Sequence, residues 1–171
     1  MSVPRRVTVI GNGGSGKTTL SVRLGKAHDL PVFHMDRLIW RPGWQPTPEA
    51  EVRQSLHEIM VRDRWLIDGL GPLWSIEARI PHADLILFLD FPLEHCRRWA
   101  MERQTTMSTA VRDDVTEGCF LEGLDQRMYD LLGRVDAEYL PAIRQMLAPP
   151  EVACKSRHRT NPEELDALSL A

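Results

Sequence analysis

The sequence has 171 residues, of which 43% are hydrophobic and 26% are charged, a balance typical of one globular domain rather than of a disordered chain. Its 21 basic and 24 acidic residues give a net charge of −3, so no overall positive charge favours binding to nucleic acid or to an anionic membrane. The three cysteines lack the spacing of a zinc site, and no apolar segment has the length of a signal peptide or a membrane span, so we expect a cytoplasmic protein.

The first half of the chain begins with a strand, a glycine-rich turn and a helix. A β-branched run predicts the strand over 6–10, and apolar residues at helical spacing predict the helix over 17–28. A second strand is predicted over 31–35, and a loop rich in proline and tryptophan, 40–46, follows it. Thr47 is the expected N-cap of the next helix, because a proline suited to the first helical turn comes directly after it.

The second half continues the alternation of strands and helices. Unbroken apolar runs at 65–67 and 85–89 predict strands that are covered on both faces. A helix is predicted to run from Pro92 to about Arg103, and the polar, weakly periodic segment 104–120 is predicted to be a mobile lid. A long helix over about 122–147 would bury one face, with Leu131 and Leu132 on it.

The end of the chain completes the predicted fold. Residues 151–155 are predicted as a fifth strand, and Asn161 as the cap of a short terminal helix. Strands that alternate with helices predict a parallel sheet with right-handed crossovers. We therefore expect 1–171 to form a single α/β domain, a five-stranded parallel sheet covered by helices on both faces, with its ligand site beyond the carboxyl ends of the strands.

Residues 11–18 match the phosphate-binding pattern G-x-x-x-x-G-K-[ST] at every fixed position. In such a loop the backbone amides surround phosphate oxygens, Lys17 reaches the β- and γ-phosphates, and the Thr18 hydroxyl binds magnesium. The sequence therefore predicts a nucleoside triphosphate site. The residues expected to bind the nucleotide are Gly11, Asn12, Gly13, Gly14, Ser15, Gly16, Lys17, Thr18 and Thr19.

Three aspartates follow the predicted strands and should lie at the edge that carries this loop. They are Asp36, Asp68 and Asp90. Asp68 is our candidate for holding magnesium directly or through water, but Asp90 follows an equally apolar strand and is an open alternative. Asp36 could contact the acceptor of a phosphoryl group or act as a base.

Phosphoryl transfer requires several cations besides the loop lysine, because charge spreads over the equatorial oxygens of the transferred group. Several arginines cluster around the predicted lid, and we expect Arg103 and Arg112 to be the catalytic ones. Arg79 is a candidate for binding an anionic acceptor. Trp44, together with Trp40, could stack on the ring of an acceptor, and packing within the loop is the alternative for both tryptophans.

Several motifs together resemble the topology-modulation-like, adenylate-kinase-related P-loop proteins, from about residue 6 to residue 147. They are the phosphate loop, His34-Met-Asp36, Trp40-Arg-Pro-Gly-Trp44, Asp68-Gly69 and the segment Arg112-Asp-Asp-Val-Thr-Glu-Gly-Cys119. The resemblance implies a nucleoside-monophosphate-kinase-like fold, ATP and Mg²⁺ as ligands, and an arginine-bearing lid. The chain departs from the family at 70–74, where Leu-Gly-Pro-Leu-Trp stands in place of the usual Asn-Tyr, and at 137–140, which lacks the usual arginines.

The sequence thus predicts a kinase that transfers the γ-phosphoryl group of ATP to a nucleotide or another small metabolite. The alternative is a nucleotide-binding regulatory ATPase or switch that has no small-molecule acceptor. The family resemblance favours a nucleotide acceptor. Shikimate-kinase-like enzymes, which the chain resembles more loosely, place an aspartate similarly to Asp36, and a base there would imply a hydroxyl acceptor. A GTPase is excluded because no N/T-K-x-D motif is present, and the oligomeric state stays open.

Overall fold

The structure is a computed structural model that describes residues 3–107, 114–119 and 126–170. Seven strands lie in these ranges, five of them in one sheet and two in a separate hairpin. In chain order they are β1 (Arg6–Gly11), β2 (Val32–His34), β3 (Trp40–Arg41), β4 (Gln45–Pro46), β5 (Trp65–Asp68), β6 (Leu85–Leu89) and β7 (Ser156–Arg159).

The five-stranded sheet is parallel throughout, with the strand order β2-β5-β1-β6-β7. Because β1 lies in the middle, the loop that follows Gly11 leaves the sheet at the centre of its carboxyl edge. Asp68 ends β5 on one side of β1, and Asp90 follows β6 on the other. The predicted α/β fold with a five-stranded parallel sheet is confirmed.

Eight α-helices are described. They are α1 (Lys17–His28), α2 (Met35–Ile39), α3 (Glu49–Met60), α4 (Leu73–Arg79), α5 (Leu93–Met107), α6 (Gln126–Arg134), α7 (Leu140–Leu147) and α8 (Pro150–Ala153). None of them is long and apolar enough to span a bilayer. The predicted cap at Asn161 is confirmed, because its side chain accepts a hydrogen bond from the Glu163 amide at 3.0 Å and a 3₁₀ turn, Pro162–Glu164, follows.

Two apolar cores, one on each face of the sheet, hold these helices in place. On one face Ile10, Ile67 and Phe88 pack with α3, α4 and α7. On the other face Val9 and Leu87 pack with α1, α5 and the C-terminal leucines. Neighbouring residues of β1, such as Val9 and Ile10, thus face opposite cores, as the pleat of a strand requires. The predicted cover of helices on both faces is confirmed.

Three predicted elements differ from the structure. Residues 150–153 form α8 rather than a strand. The last strand of the five-stranded sheet is β7 instead, and it lacks an apolar run. It lies at the edge of the sheet, where charged side chains are common. The second strand ends at His34, and α2 begins one residue before Asp36. The N-cap of α3 is Pro48, one residue after Thr47, and this N-cap makes no side-chain capping bond.

The long helix and the lid also differ from their predictions. A π-helical turn, Val135–Tyr139, interrupts the helix between α6 and α7, and Leu131 is 46% exposed instead of buried. Residues 104–107 belong to α5, so they are not loop. The remainder of the predicted lid lies partly outside the described residues, and its mobility stays a prediction.

Candidate active site

The phosphate loop packs so closely on its surroundings that two of its glycines are required. Gly14 and Gly16 have φ values of 72° and 78°, a left-handed conformation that favours glycine. A Cβ atom on Gly14 would lie 2.1 Å from the Cys96 carbonyl oxygen in α5. The loop and α5 therefore meet backbone to backbone, which fixes the amides that would surround a phosphate.

The side chain of Asn12 stabilises the phosphate loop by hydrogen bonds. Its side-chain oxygen accepts a hydrogen bond from the Gly13 amide at 2.8 Å, and its side-chain nitrogen donates to the Leu132 carbonyl at 2.9 Å. Asn12 is 1% exposed, so these bonds are shielded from water. They tie the phosphate loop to α6 and give Asn12 a positioning role that the motif alone does not indicate.

A cavity of about 870 Å³ opens beside the loop, and Lys17 and Thr18 lie on its wall. The Lys17 ammonium group donates to the Asn12 carbonyl at 3.1 Å. Of the other residues predicted to bind nucleotide, the cavity is lined by Asn12, Gly13 and Gly14. The cavity wall does not include the other residues that were predicted to bind the nucleotide, which are Gly11, Ser15, Gly16 and Thr19.

The cavity extends from the loop to a second wall formed by residues of the range 36–74, which we call the acceptor wall. Asp36, Trp40, Trp44 and Trp74 lie on it. The rings of Trp40 and Trp44 meet edge to face, with their centres 5.7 Å apart. Asp36 and Trp44 therefore line the same cavity as the phosphate loop, and their roles toward an acceptor stay predictions.

The backbone at Trp44 is unusual for such a large residue. Gly43 and Trp44 are the last two of the three residues between β3 and β4, and both have positive φ values, 73° and 58°. The left-handed region costs a non-glycine residue of order 1–3 kcal/mol and is found mainly where the surroundings fix the conformation. The hairpin thus holds the Trp44 side chain on the cavity wall at the expense of local strain.

Asp68 ends β5, does not line the cavity, and is paired with a histidine. Its side chain is 2% exposed, and its Oδ1 atom lies 2.6 Å from Nδ1 of His34 on the neighbouring strand. Burial tends to lower the pKa of His34, but the hydrogen bond and the charge of Asp68 outweigh burial, so the pKa is raised. The other carboxylate oxygen, Oδ2, is buried and has no hydrogen-bond partner among the described residues.

Arg79 is not brought to the cavity. It is fully buried, and its guanidinium group donates to the carbonyl oxygens of Ser75, Gly69 and Leu70 at 2.8–3.0 Å. Burial lowers the pKa of this group to about 10, while the charge of Asp68 acts in the opposite direction, so Arg79 stays protonated at neutral pH. The structure places the predicted acceptor-binding arginine as a support for the loop that follows β5.

Asp90 is part of a different cluster. It accepts two hydrogen bonds from Arg144, both at 2.7 Å, and its Oδ2 atom lies 2.7 Å from Nε2 of His158. Burial tends to raise the pKa of the Asp90 carboxyl, but the bonds from Arg144 and His158 outweigh burial, so the pKa is lowered. Asp90 therefore joins β6 to α7 and β7, and it does not lie on the cavity wall.

We expect Arg144→Ala to destabilise the fold by about 1–3 kcal/mol at neutral pH, because it leaves a buried carboxylate short of two donors. Because the pKa of Asp90 is depressed in the folded state, this stabilisation is present above the unfolded pKa of about 4 and is lost as the pH falls through the folded pKa. Urea unfolding at pH 7 and at low pH measures the difference. Arg159→Ala, which removes a surface pair at 3.6 Å, is the control. A deficit for Arg144→Ala that is independent of pH would contradict this account.

Arg103 lies on the cavity wall near the end of the described part of α5. One of its guanidinium nitrogens donates to Asp114 Oδ2 at 3.0 Å, and Asp114, which is 8% exposed, also lies on the wall. Arg112, the other predicted catalytic arginine, lies outside the described residues. Its role stays a prediction.

The segment 114–119 contacts the tryptophan hairpin through bonds that the sequence did not predict. Thr116 donates its hydroxyl to the Trp40 carbonyl at 2.5 Å, and the Cys119 thiol lies 3.3 Å from the Arg41 carbonyl. The Gly43 amide donates to the Gly118 carbonyl at 3.2 Å. No spacing in the sequence signals these contacts, because they join parts of the chain that are more than seventy residues apart.

A strand, a glycine-rich loop and a helix follow one another at the centre of the parallel sheet, and the loop lysine lies on the wall of the neighbouring cavity. This arrangement defines a P-loop nucleotide-binding fold. Neither a family model nor a curated protein sequence matches the chain.

Three solved structures show which P-loop proteins share this fold. The structure of shikimate kinase from Acinetobacter baumannii in complex with shikimate aligns with a TM-score of 0.59 and 14% identity, over 95% of this chain and 88% of that chain. Shikimate kinase from Bacteroides thetaiotaomicron aligns with a TM-score of 0.55 and 18% identity, over 95% and 89%. A gluconokinase from Sinorhizobium meliloti 1021 aligns with a TM-score of 0.52 and 14% identity, over 96% and 89%. The chain therefore has the fold of the small-molecule P-loop kinases, and the predicted kinase-like fold is confirmed.

Proposed function

We propose that this chain is a kinase that transfers the γ-phosphoryl group of ATP to a small metabolite. The observation that carries this proposal is one cavity whose wall contains both the phosphate-loop lysine, Lys17, and the carboxylate of Asp36. A kinase requires a phosphate site and an acceptor site that share one space, because the acceptor oxygen must be in line with the transferred phosphorus.

At the phosphate end the loop amides and the amino end of α1 favour an anion. Lys17 adds a full positive charge at the point where the β- and γ-phosphates would lie. Arg103, on the same wall, is a second cation for the charge that develops on the transferred group. Arg112 is the further cation that the sequence suggests, and it would act from the same segment as Asp114.

At the acceptor end the cavity continues well beyond the phosphate loop, along the acceptor wall. A regulatory ATPase or switch needs a phosphate site and a water molecule, but it has no need of a second wall lined by tryptophans. The three structures with the same fold are kinases of small molecules, and one of them was solved with shikimate bound. The fold and the acceptor wall together support a kinase over a switch.

Magnesium fits the residues at the phosphate end. Thr18 is the second residue of α1, directly after Lys17, and lies on the cavity wall, where it offers a hydroxyl oxygen. The buried Oδ2 of Asp68, which lacks a donor among the described residues, is suited to the shell of a hydrated Mg²⁺, because this ion keeps several of its waters. When bound, Mg²⁺ neutralises charge on the phosphate oxygens. Neither aspartate lines the cavity. Both carboxylate oxygens of Asp90 are bonded, to Arg144 and His158, whereas Oδ2 of Asp68 has no partner among the described residues, so Asp68 is the better supported of the two candidates.

We expect Thr18→Ala and Asp68→Asn to raise the magnesium concentration that gives half-maximal turnover by about tenfold or more. Asp90→Asn is the control, and it should change stability without changing that concentration. The measurement is the ATPase or kinase rate as a function of free Mg²⁺ at saturating ATP. If Asp90→Asn shifts the magnesium dependence and Asp68→Asn does not, the wrong aspartate has been assigned.

Asp36 is the group that can prepare a hydroxyl acceptor. In the transfer, the acceptor oxygen forms a bond to the γ-phosphorus, the bond from that phosphorus to the β,γ-bridging oxygen breaks, and ADP leaves. The hydroxyl proton must also be removed, and a carboxylate within hydrogen-bonding distance can orient the hydroxyl and accept the proton. Asp36 lies on the cavity wall, at the start of α2, where it can do both.

We expect Asp36→Asn to lower the turnover number by at least about a hundredfold with an identified hydroxyl acceptor, because asparagine cannot accept the proton. Acceptor binding should change little, because the amide keeps the size of the side chain. Steady-state kinetics at saturating ATP separate the two effects. A nucleoside monophosphate acceptor, which needs no base, would instead show a small decrease.

The proposed function is tested by acceptor-dependent release of ADP from Mg–ATP, across nucleoside monophosphates, sugars and other hydroxyl compounds. Formation of the phosphorylated acceptor, detected by mass spectrometry, is the expected result. If ATP binds and no acceptor in the panel increases ADP release, the regulatory ATPase is the better account.

A further inference from the structure

The acceptor side of the cavity lies against the apolar core between the sheet and helices α3, α4 and α7. Among the described residues, those shared by the cavity wall and this core are Ile39, Val52, Leu70, Trp74, Val135 and Tyr139. The first four belong to the acceptor wall, whereas the phosphate-loop residues on the cavity wall do not contribute to this core. Val135 and Tyr139 therefore continue the acceptor wall, although they come from the other half of the chain.

The π-helical turn that ends at Tyr139 adds one residue to the helical repeat. Val135 and Leu140 are both buried, although they are five residues apart. The buried face then continues at the usual spacings of three and four, at Ile143 and Leu147. Because residues three or four apart share a face of an α-helix, an uninterrupted helix would direct Tyr139 into the core in place of Leu140. The Leu140 amide instead donates to the Val135 carbonyl, which closes the π turn and leaves Tyr139 at the cavity wall.

The Tyr139 hydroxyl group is open to solvent. In the part of the chain that the structure describes, no residue forms a hydrogen bond with it. Its oxygen is also not one of the buried side-chain atoms that lack a partner, so the oxygen is accessible. A ligand that fills the acceptor side of the cavity would displace water from this hydroxyl group. Because a polar group that loses water without gaining a partner weakens binding, the ligand must supply that partner.

We propose that Tyr139 is an acceptor-binding residue, whose hydroxyl group forms a hydrogen bond with a polar group of the bound acceptor. This inference rests on the proposed function and deepens it, because it names a contact that selects among acceptors. The π turn supports it, since single π turns within α-helices are rare and are frequently found at functional sites. The contact suits neutral and anionic acceptors alike, because a phenol can donate to either and the cavity wall also carries Lys17, Arg103 and Arg134.

The first arm of the test observes Tyr139 directly. The chain has two tyrosines, so incorporation of meta-fluorotyrosine gives two fluorine NMR signals, which Tyr129→Phe assigns. Tyr129 is the internal control, because it does not line the cavity and its ring centre lies 3.8 Å from the Arg97 guanidinium group. The full chain is loaded with Mg²⁺ and a non-hydrolysable ATP analogue, and shikimate, gluconate and AMP are then added one at a time. At least one compound should shift the Tyr139 signal and leave the Tyr129 signal in place. A Tyr139 signal that none of these compounds shifts would overturn the inference.

The second arm removes the hydroxyl group and keeps the ring. Tyr139→Phe should raise the dissociation constant of each compound that shifts the signal by about three- to tenfold, the usual effect of losing one hydrogen bond. The dissociation constant of the ATP analogue should stay the same, because Tyr139 lies on the acceptor side. Calorimetric titrations measure both constants, and Tyr129→Phe, which should change neither, is the matched control. If Tyr139→Phe binds these compounds as tightly as the wild type does, Tyr139 only packs on the core and the inference is wrong.

The same samples separate this inference from the proposed function. If Mg–ATP phosphorylates one of the compounds and Tyr139→Phe leaves the KM for that compound unchanged, the kinase assignment stands and the role of Tyr139 is wrong. If a compound binds through Tyr139 as expected and Mg–ATP phosphorylates neither it nor any other acceptor, the role of Tyr139 is correct and the kinase assignment fails.

Discussion

Lys17→Ala should lower ATP turnover by about a thousandfold or more while the free energy of unfolding without nucleotide changes by less than about 0.5 kcal/mol. The large effect follows from the position of Lys17 on the cavity wall beside the loop amides, where its charge would meet the β- and γ-phosphates. The small effect follows from its contacts, because its ammonium group donates to the Asn12 carbonyl at 3.1 Å, within the loop itself, and not to the core.

Turnover is measured as ADP release, and stability by urea unfolding of the apo protein. Lys26→Ala removes an exposed lysine from the same helix and is the matched control. Turnover at the wild-type level in Lys17→Ala would remove the basis of the proposed function. A large loss of stability would instead mean that Lys17 stabilises the folded loop and is not reserved for binding the phosphates.

Arg103→Ala should reduce the turnover number by about 10³-fold, the lower end of the range for an arginine that stabilises the transferred group. Arg103 shares the cavity wall with Lys17, and its pair with Asp114 holds the guanidinium at that wall. In terms of the activation barrier, this loss corresponds to about 4 kcal/mol, which is far more than an exposed ion pair contributes.

Single-turnover kinetics at saturating substrates measure this effect apart from binding. Arg98→Ala removes an exposed arginine from the same helix and is the control. Arg103→Lys should retain part of the rate, because lysine restores the positive charge but not the planar guanidinium group. If Arg103→Ala stays within a fewfold of the wild type, Arg103 positions Asp114 and is not catalytic.

The features that the sequence predicted well are those set by local chemistry. The phosphate loop is a contiguous motif, so its strand, turn and helix follow from neighbouring residues alone. The meeting of Asp36 and Asp68 at one edge followed from a single further assumption, a parallel sheet. Because strands 65–67 and 85–89 are apolar throughout, their burial was also accessible from the sequence.

The features that the sequence did not predict depend on partners distant along the chain. The guanidinium group of Arg79 is hydrogen-bonded to backbone carbonyls, and a sequence does not indicate which carbonyls a side chain will contact. Asp90 is bonded to an arginine 54 residues away, so its resemblance to Asp68 as a strand-ending aspartate was misleading. The edge strand β7 reads Ser-Arg-His-Arg, which lacks an apolar pattern, and its place in the sheet comes from pairing with β6.

The bonds between segment 114–119 and the tryptophan hairpin have a thermodynamic consequence. Asp114 contacts Arg103 on the phosphate side, while Thr116 contacts the carbonyl of Trp40 on the acceptor side, only two residues further along the chain. A ligand on either side that shifts this short segment changes the free energy of the other site as well. By linkage, any factor by which the nucleotide tightens acceptor binding must equal the factor by which the acceptor tightens nucleotide binding. This equality is tested by measuring two dissociation constants for each ligand, one for the ligand alone and one with the other ligand already bound.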